Sequence, residues 1–292
     1  MNKELSIIVT GSKGQLGYDC VKILKERGYN HVFGIDINDV DLTDEEAVNQ
    51  FFDTHKPDVV MHNAAWTAVD KAEQFPEEAR KVNVLATSYI AKACKKYNAK
   101  LFFISTDYVF NGQGNKFYEV DDPKGGLSVY GKSKSDAEDL VKSILDKYFI
   151  IRTSWAFGIN GNNFVKSMIN QAENGTKELL IVDDQIGSPT YTCDLALLMC
   201  DMMETEKYGI YHATNEGVCS WAEFASFIFK EINSPLVVKK VSTEEYMKVV
   251  KNQAVRPLNS RLSKESLVKA GFNKLPTWQD AVKRYIHEEL KK

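Results

Sequence analysis

Through the first half of the chain, short continuous apolar runs alternate with stretches whose apolar residues recur every three or four positions. Leu5-Ser6-Ile7-Ile8-Val9, His31-Val32-Phe33-Gly34-Ile35-Asp36, Asp58-Val59-Val60-Met61-His62, Lys100-Leu101-Phe102-Phe103-Ile104-Ser105 and Phe149-Ile150-Ile151-Arg152 read as strands. Helices are predicted from the glycine-rich turn after the first strand to Gly28 and from Asp44 to His55, with Thr43 as cap. Two more are predicted, from Pro76 to Tyr97 and from Leu127 to Leu145. A strand that is apolar throughout is covered on both faces, and strands separated by helices pair in parallel. The expected fold is α/β, a doubly wound parallel sheet over residues 1–154.

From about Trp155 the pattern loosens. Residues 160–163 and 174–175 are rich in turn formers, Leu179-Leu180-Ile181-Val182 reads as a strand, and Ser220 to Glu231 and Trp278 to Leu290 read as helices. Residues 155–292 are therefore expected to form a smaller C-terminal, mainly substrate-binding lobe, interleaved with the first. No internal repeat or low-complexity segment is present.

The chain has 292 residues, 43% hydrophobic and 26% charged, which excludes wholesale disorder and collagen-like or coiled-coil architecture. Lys plus Arg is 37 against 40 Asp plus Glu, so net charge makes no case for nucleic acid as a partner. Lys92, Lys95, Lys96 and Lys100 read as a solvated face. The five cysteines, at 20, 94, 193, 200 and 219, are odd in number and lack Cys-x-x-Cys spacing. They point to reduced thiols, with neither a disulfide framework nor a zinc site. The polar start shows no signal-peptide pattern and no apolar run reaches membrane-spanning length, so a cytoplasmic protein without a membrane partner is expected.

Chemistry enters with Thr10-Gly11-Ser12-Lys13-Gly14-Gln15-Leu16-Gly17, which lies between the first strand and the first helix. Three glycines at this spacing let the backbone turn sharply and approach a pyrophosphate, and the helix N-terminus presents free amides to it. A Rossmann dinucleotide site accounts for the pattern better than an ordinary glycine turn, because the strand–turn–helix context is the one required. Asp36 closes the second strand, where a carboxylate hydrogen-bonds the adenosine ribose and disfavours a 2′-phosphate. No Arg or Lys follows within several residues, so this position leans toward NAD, the alternative being a solvated loop acid.

Tyr130 and Lys134 are four residues apart on one helix face. A tyrosine with its ordinary pKa of about 10 is a poor proton-transfer catalyst at neutral pH, and a neighbouring ammonium is expected to lower it. Ser105-Thr106-Asp107 ends the fourth strand, the place where parallel sheets bind ligands, and a hydroxyl there can meet the same carbonyl. Tyr-x-x-x-Lys alone is common on surface helices; its position after a nucleotide-binding fold makes it specific.

These motifs resemble the extended short-chain dehydrogenase/reductase superfamily, and within it the dTDP-4-dehydrorhamnose reductase family. The resemblance spans essentially the whole chain. It rests on the glycine loop, on the run from Asn63-Ala64-Ala65-Trp66-Thr67 to Ala68-Val69-Asp70-Lys71-Ala72-Glu73, and on Ser105-Thr106-Asp107-Tyr108-Val109-Phe110. It continues through Val129-Tyr130-Gly131-Lys132-Ser133-Lys134, Arg152-Thr153-Ser154-Trp155, Asp184-Gln185-Ile186-Gly187-Ser188-Pro189-Thr190 and Arg256-Pro257-Leu258-Asn259-Ser260-Arg261. It implies an oxidoreductase of dTDP-rhamnose and polysaccharide biosynthesis that reduces the 4-keto group of a nucleotide sugar with NADPH or NADH. Tyr130 is then the proton donor, Lys134 its tuner and cofactor anchor, and Thr106 the carbonyl partner. Gly11, Gly14, Gln15, Leu16, Gly17, Asp36, Asp41, Leu42, Asn63, Ala64 and Ala65 would hold the cofactor. Thr67, Val69, Asp70, Asp107 and Trp155 would hold the sugar, and Asn163 and Arg256 the diphosphate, a guanidinium suiting phosphate oxygens. Trp155 as core packing and Arg256 as a surface ion pair are the structural alternatives.

Some members form a homodimer bridged by magnesium. Asp19 and Asp194 lie near the corresponding regions, but the match is imperfect and no metal ligand is assigned. Trp66 stands where members vary. Two other functions compete. A 4,6-dehydratase would carry an acidic pair after the threonine, whereas here Asp107 is followed by Tyr108; an epimerase would use the same Tyr and Lys. A non-catalytic regulatory subunit of methionine adenosyltransferase, also of this fold, would bind cofactor without turnover, and the intact Thr106, Tyr130 and Lys134 set argues against it.

Overall fold

The structure, a computed structural model, describes residues 2–251 and 253–290. The first half runs β1 (Ser6–Thr10), α1 (Gln15–Glu26), β2 (His31–Ile35), α2 (Glu45–His55), β3 (Val59–His62), α3 (Val69–Gln74), α4 (Pro76–Arg80), α5 (Ala86–Tyr97), β4 (Lys100–Thr106), α6 (Val129–Ile144) and β5 (Tyr148–Thr153). The second half adds β6 (Ala156–Phe157), α7 (Phe164–Glu173), β7 (Glu178–Val182), β8 (Ile186–Gly187), β9 (Thr190–Tyr191), α8 (Thr192–Met203) and β10 (Gly209–His212). It ends with β11 (Cys219–Ser220), α9 (Trp221–Glu231), β12 (Val237–Val241), α10 (Thr243–Val249), α11 (Glu265–Lys269) and α12 (Trp278–Arg284).

Six strands form one parallel sheet in the order β10-β5-β4-β3-β1-β2. Alternate strand residues serve opposite faces. Ile7, Val9, Met61, Phe102, Phe149 and Ile151 pack on one side against α1 and α8. Ile8, Val60, Leu101, Phe103 and Ile150 pack on the other against α2, α5 and α6. This double burial is why the strands read as unbroken apolar runs. The order reverses at β1, so a crevice opens beyond the carboxyl ends of β1 and β3, where such sheets bind ligands.

The second half contributes to the same layers. α8 packs on α1, and β10 pairs with β5 in register from Gly209↔Phe149 to His212↔Arg152. Neither element was anticipated. Nine of the twelve α8 residues are buried, so the helix has no polar stripe to reveal it, and β10 is only four residues long. The remaining residues build a third core around Phe157, Phe224, Trp278 and Tyr285. Short two-stranded pairings, β8 with β11, β6 with β9 and β7 with β12, stitch it together.

Three local expectations are corrected. The cap of α2 is Asp44, not Thr43: its carboxylate accepts from the amides of Glu46 (2.9 Å) and Ala47 (3.2 Å), while the Thr43 hydroxyl donates to Asp41 (2.7 Å). The helix expected over 76–97 widens into a π turn at Lys81–Leu85, which turns Asn83 inward, and α12 passes into a second π turn at Tyr285–Glu289. Among the described residues no helix is long and apolar enough to cross a membrane.

Candidate active site

A cavity of about 920 Å³ lies over the carboxyl ends of β1, β3 and β4. At one end is the glycine loop. Gly11 has φ of +64°, and a Cβ there would come within 2.9 Å of the Ala64 amide nitrogen. A Cβ on Gly17 would collide with the Gly11 carbonyl, so Gly17 lies beneath the loop and lets α1 approach it. Gly14 and Gln15 start α1, whose first turn holds no acidic residue to oppose an anion. The amide nitrogen and oxygen of Asn63 are buried with no nitrogen or oxygen partner, only the weakly bonding Cys20 thiol beside them. Unsatisfied buried polar atoms are rare, and these border the cavity where a dinucleotide would run. The cradle and this unpaired amide fit a dinucleotide.

Gly11, Gly14, Gln15, Leu16, Asp36, Asp41, Leu42, Asn63, Ala64 and Ala65 all line the cavity. So does Lys13, whose position the sequence reading passed over. Its backbone amide donates to the Asp36 carboxylate (3.1 Å), so the fold brings a lysine of the glycine loop to the cavity wall that Asp36 shares, although none follows Asp36 within several residues.

Tyr130, Lys134 and Thr106 meet near the middle of the cavity. Ser128 caps α6 by accepting from the Gly131 amide (3.1 Å), which fixes the turn carrying Tyr130. Gly131 is needed there, since a Cβ would strike the Tyr108 carbonyl. Burial pushes the Tyr130 phenol up to about 12, opposed by its hydrogen bond to Thr106. Burial pushes Lys134 down to about 7, opposed by the charge of Glu138, and its ammonium lies 4.0 Å from the Phe103 ring centroid. The expected lowering of the tyrosine by the lysine is therefore not the leading effect: desolvation favours the neutral form of both groups.

Thr106 donates to the Asp107 carboxylate (3.0 Å), which burial raises to about 6 and which also accepts from the Ser260 hydroxyl. Beneath them, Glu138 accepts from Ser105 Oγ (2.6 Å) and forms a two-pronged pair with Arg152, at 2.8 Å on each prong. This buried network ties α6 to the ends of β4 and β5. Asn83 binds both the amide (2.8 Å) and the carbonyl (3.2 Å) of Trp66 and donates to Ser133 on α6 (2.9 Å). It thus locks the loop after β3 to α6.

At the far end Thr67, Val69, Asp107, Tyr108 and Trp155 line the cavity, joined by Trp221. Three sequence candidates stand apart from it. Asp70 and Arg256 pair with each other at 2.8 Å, and Asp70 also accepts from the Ala254 amide (2.8 Å), fastening the 254–256 segment to α3. Asn163 caps α7 by accepting from the Lys166 amide, and its amide group donates to Gln15, Gly158 and Tyr285; the neighbouring Asn162 lines the cavity. Asp19 accepts from Thr192 (2.5 Å), while Asp194 is held by Arg284 and Asn215.

The residues 5–291 match the family model described as RmlD substrate binding domain. The chain is 39% identical to the dTDP-4-dehydrorhamnose reductase of Aggregatibacter actinomycetemcomitans, over 95% of this chain and 97% of that protein. The chain belongs to the dTDP-4-dehydrorhamnose reductase family. Its fold superposes on the crystal structure of the Clostridium acetobutylicum reductase with a TM-score of 0.93, at 39% identity, covering 99% of this chain and all of that one. It superposes equally well, at 0.93 and 38% identity, on the Bacillus anthracis reductase in complex with NADP, covering 98% of this chain and 99% of that one.

Proposed function

We propose that this chain reduces the 4-keto group of dTDP-4-dehydro-6-deoxy-L-mannose to a hydroxyl, giving dTDP-L-rhamnose, with a reduced nicotinamide dinucleotide as hydride donor. The observation that carries this reading is the meeting of Tyr130, Lys134 and Thr106 in one cavity whose other end is the glycine loop. The glycine loop with Asn63, Ala64 and Ala65 would hold the dinucleotide, whose reduced nicotinamide would supply the hydride for C4 of the sugar. The Tyr130 phenol gives its proton to the carbonyl oxygen as the C4–H bond forms, and the phenolate regains a proton from solvent. Its raised pKa keeps that proton in place at neutral pH. The Lys134 ammonium stabilises the phenolate and binds the nicotinamide ribose; pyrophosphate charge in the cavity favours its protonated form. Thr106, whose hydroxyl donates to Asp107, turns that proton to the carbonyl oxygen as the second donor.

Asp36 favours a free ribose hydroxyl, whereas Lys13, which lines the same cavity, would suit a 2′-phosphate. We therefore propose that both NADH and NADPH serve. The test is absorbance of the reduced nicotinamide in the presence of the nucleotide sugar, with the two cofactors side by side. Sugar-dependent oxidation with dTDP-rhamnose as product is expected. Protein that binds cofactor yet oxidises neither would overturn the reading in favour of an epimerase or a regulatory subunit.

A further inference from the structure

The 184–190 run and Ser260 carry part of the family resemblance, yet neither gives a group to the reaction above. Their place becomes clear from Trp155, whose φ of +49° lies in the left-handed region that a bulky residue rarely adopts. Such a conformation persists where the surroundings over-determine it. The Trp155 carbonyl accepts from the Thr190 amide (3.2 Å), and Ser154 Oγ donates to the Ser188 carbonyl (2.7 Å). The indole stacks on that of Trp221, with centroids 3.7 Å apart and planes 17° from parallel. It also presses on Gly187: a Cβ there would lie 2.9 Å from its Cε2 and 3.0 Å from its Cζ2. Antiparallel pairing of β8 with β11, Gly187 opposite Cys219 and Ile186 opposite Ser220, delivers both neighbours together. On the other side, Ser260 donates its amide to the Ile186 carbonyl (2.7 Å) and its hydroxyl to Asp107, the acceptor of the Thr106 proton.

We infer that β8 is a spacer that sets the gap between the Trp155 indole and the Thr106–Tyr130 pair, making Gly187 and Trp221 positioning residues that select which hexopyranose ring of a nucleotide sugar fits. The inference rests on the reductase reading of the site. A Cβ at 187 would crowd the indole at 2.9 Å and Ser260 Cβ at 3.1 Å, so a side chain there is expected to displace the indole, and a misplacement of about 1 Å in a reacting complex can cost on the order of a hundredfold.

Gly187→Ala and Trp221→Leu test this. Each is expected to raise KM for the nucleotide sugar about tenfold or more and to weaken dTDP-rhamnose binding far more than dTDP binding. NADPH affinity should stay within about twofold. Trp221→Phe, which keeps an aromatic ring against Trp155, should raise KM less than Trp221→Leu does. The stacked indoles also predict an exciton couplet in far-UV circular dichroism, present in wild type, lost in Trp221→Leu and altered in Gly187→Ala. An unchanged KM in Gly187→Ala, or an equal loss of cofactor and sugar affinity, would overturn the spacer. If Gly187→Ala fails to fold, Trp221→Leu against Trp221→Phe decides by the same criteria. Wild-type protein that shows the couplet but no sugar-dependent oxidation would overturn the reductase reading alone; the variants' sugar-selective binding would still decide the spacer.

Discussion

The two ends of the cavity are built in different ways. The dinucleotide end comes from the carboxyl ends of adjacent strands: residues 11–17 after β1, Asp36 after β2 and 63–65 after β3. Its recognition is mostly backbone, so its demand on sequence is glycine at fixed places. The other end, proposed to take the sugar, draws single side chains from segments as distant as Thr67, Thr106, Trp155 and Trp221, held by β8, β11 and the loop that carries Asn259 and Ser260. The first is a local motif that any parallel sheet can carry; the second exists only once distant segments have packed. One end is sensitive to added volume, the other to the loss or displacement of a particular side chain.

The largest effect should come where the two ends meet. Tyr130→Phe removes the proposed proton donor with almost no change of shape and should lower kcat about a thousandfold, some 4 kcal/mol of barrier. Cofactor affinity, read by fluorescence titration, should hold. Retained turnover would show that the proton comes from elsewhere.

Gly17→Ala sharpens the contrast at the dinucleotide end. The added methyl collides with rigid backbone at Gly11, so a loss of about 1–3 kcal/mol of stability, with weaker cofactor binding, is expected in denaturant and titration experiments. A methyl tolerated without either loss would mean that the loop and α1 are not pressed together.

A third test uses pH. The folded-state pKa of Lys134 lies below its unfolded value of about 10.4, so the unfolded chain holds the extra proton between about pH 7 and 10. Stability of the cofactor-free protein should therefore rise with pH through that window. Lys134→Met should be more stable than wild type near neutral pH, and the difference should shrink as pH rises toward 10. Parallel stability curves for the two proteins would refute the buried-ammonium account.

The smallest effect is expected at the margin of the sugar end. The Asp70–Arg256 pair is partly exposed, so Asp70→Asn should cost no more than about 1 kcal/mol, and added salt should erase much of the difference. A larger loss would make the 254–256 segment a structural element of the lobe.

How much could be read without coordinates follows the same division. The strands of the first half were legible because double burial makes them apolar without interruption. Tyr130 with Lys134, and Thr106 at the end of β4, were legible because helix period and strand end bring them to one place. α8 hid for the opposite reason: a helix buried nearly all round has no periodic signal. Asp70 and Arg256 were recognised separately, but their pairing required the 254–256 segment to fold back on α3. The bonds by which Asn163 caps α7 and reaches Gln15 likewise became visible only in the fold, since an amide that does both looks in sequence like one that binds a ligand.

The sequence by itself determined the doubly wound sheet, the glycine loop and the helix face that carries Tyr130 and Lys134, because each depends on spacing within a few turns or within one strand–turn–helix unit. Tertiary structure alone decided that the Lys13 amide meets Asp36, that Asn83 locks the loop after β3 to α6, and that Trp155, in a left-handed turn, packs between Trp221 and Gly187. The physical reason is range. Backbone period and turn geometry are encoded by neighbours, whereas the width and charge of a cavity are set by residues that meet only when solvent is expelled between segments far apart in the chain.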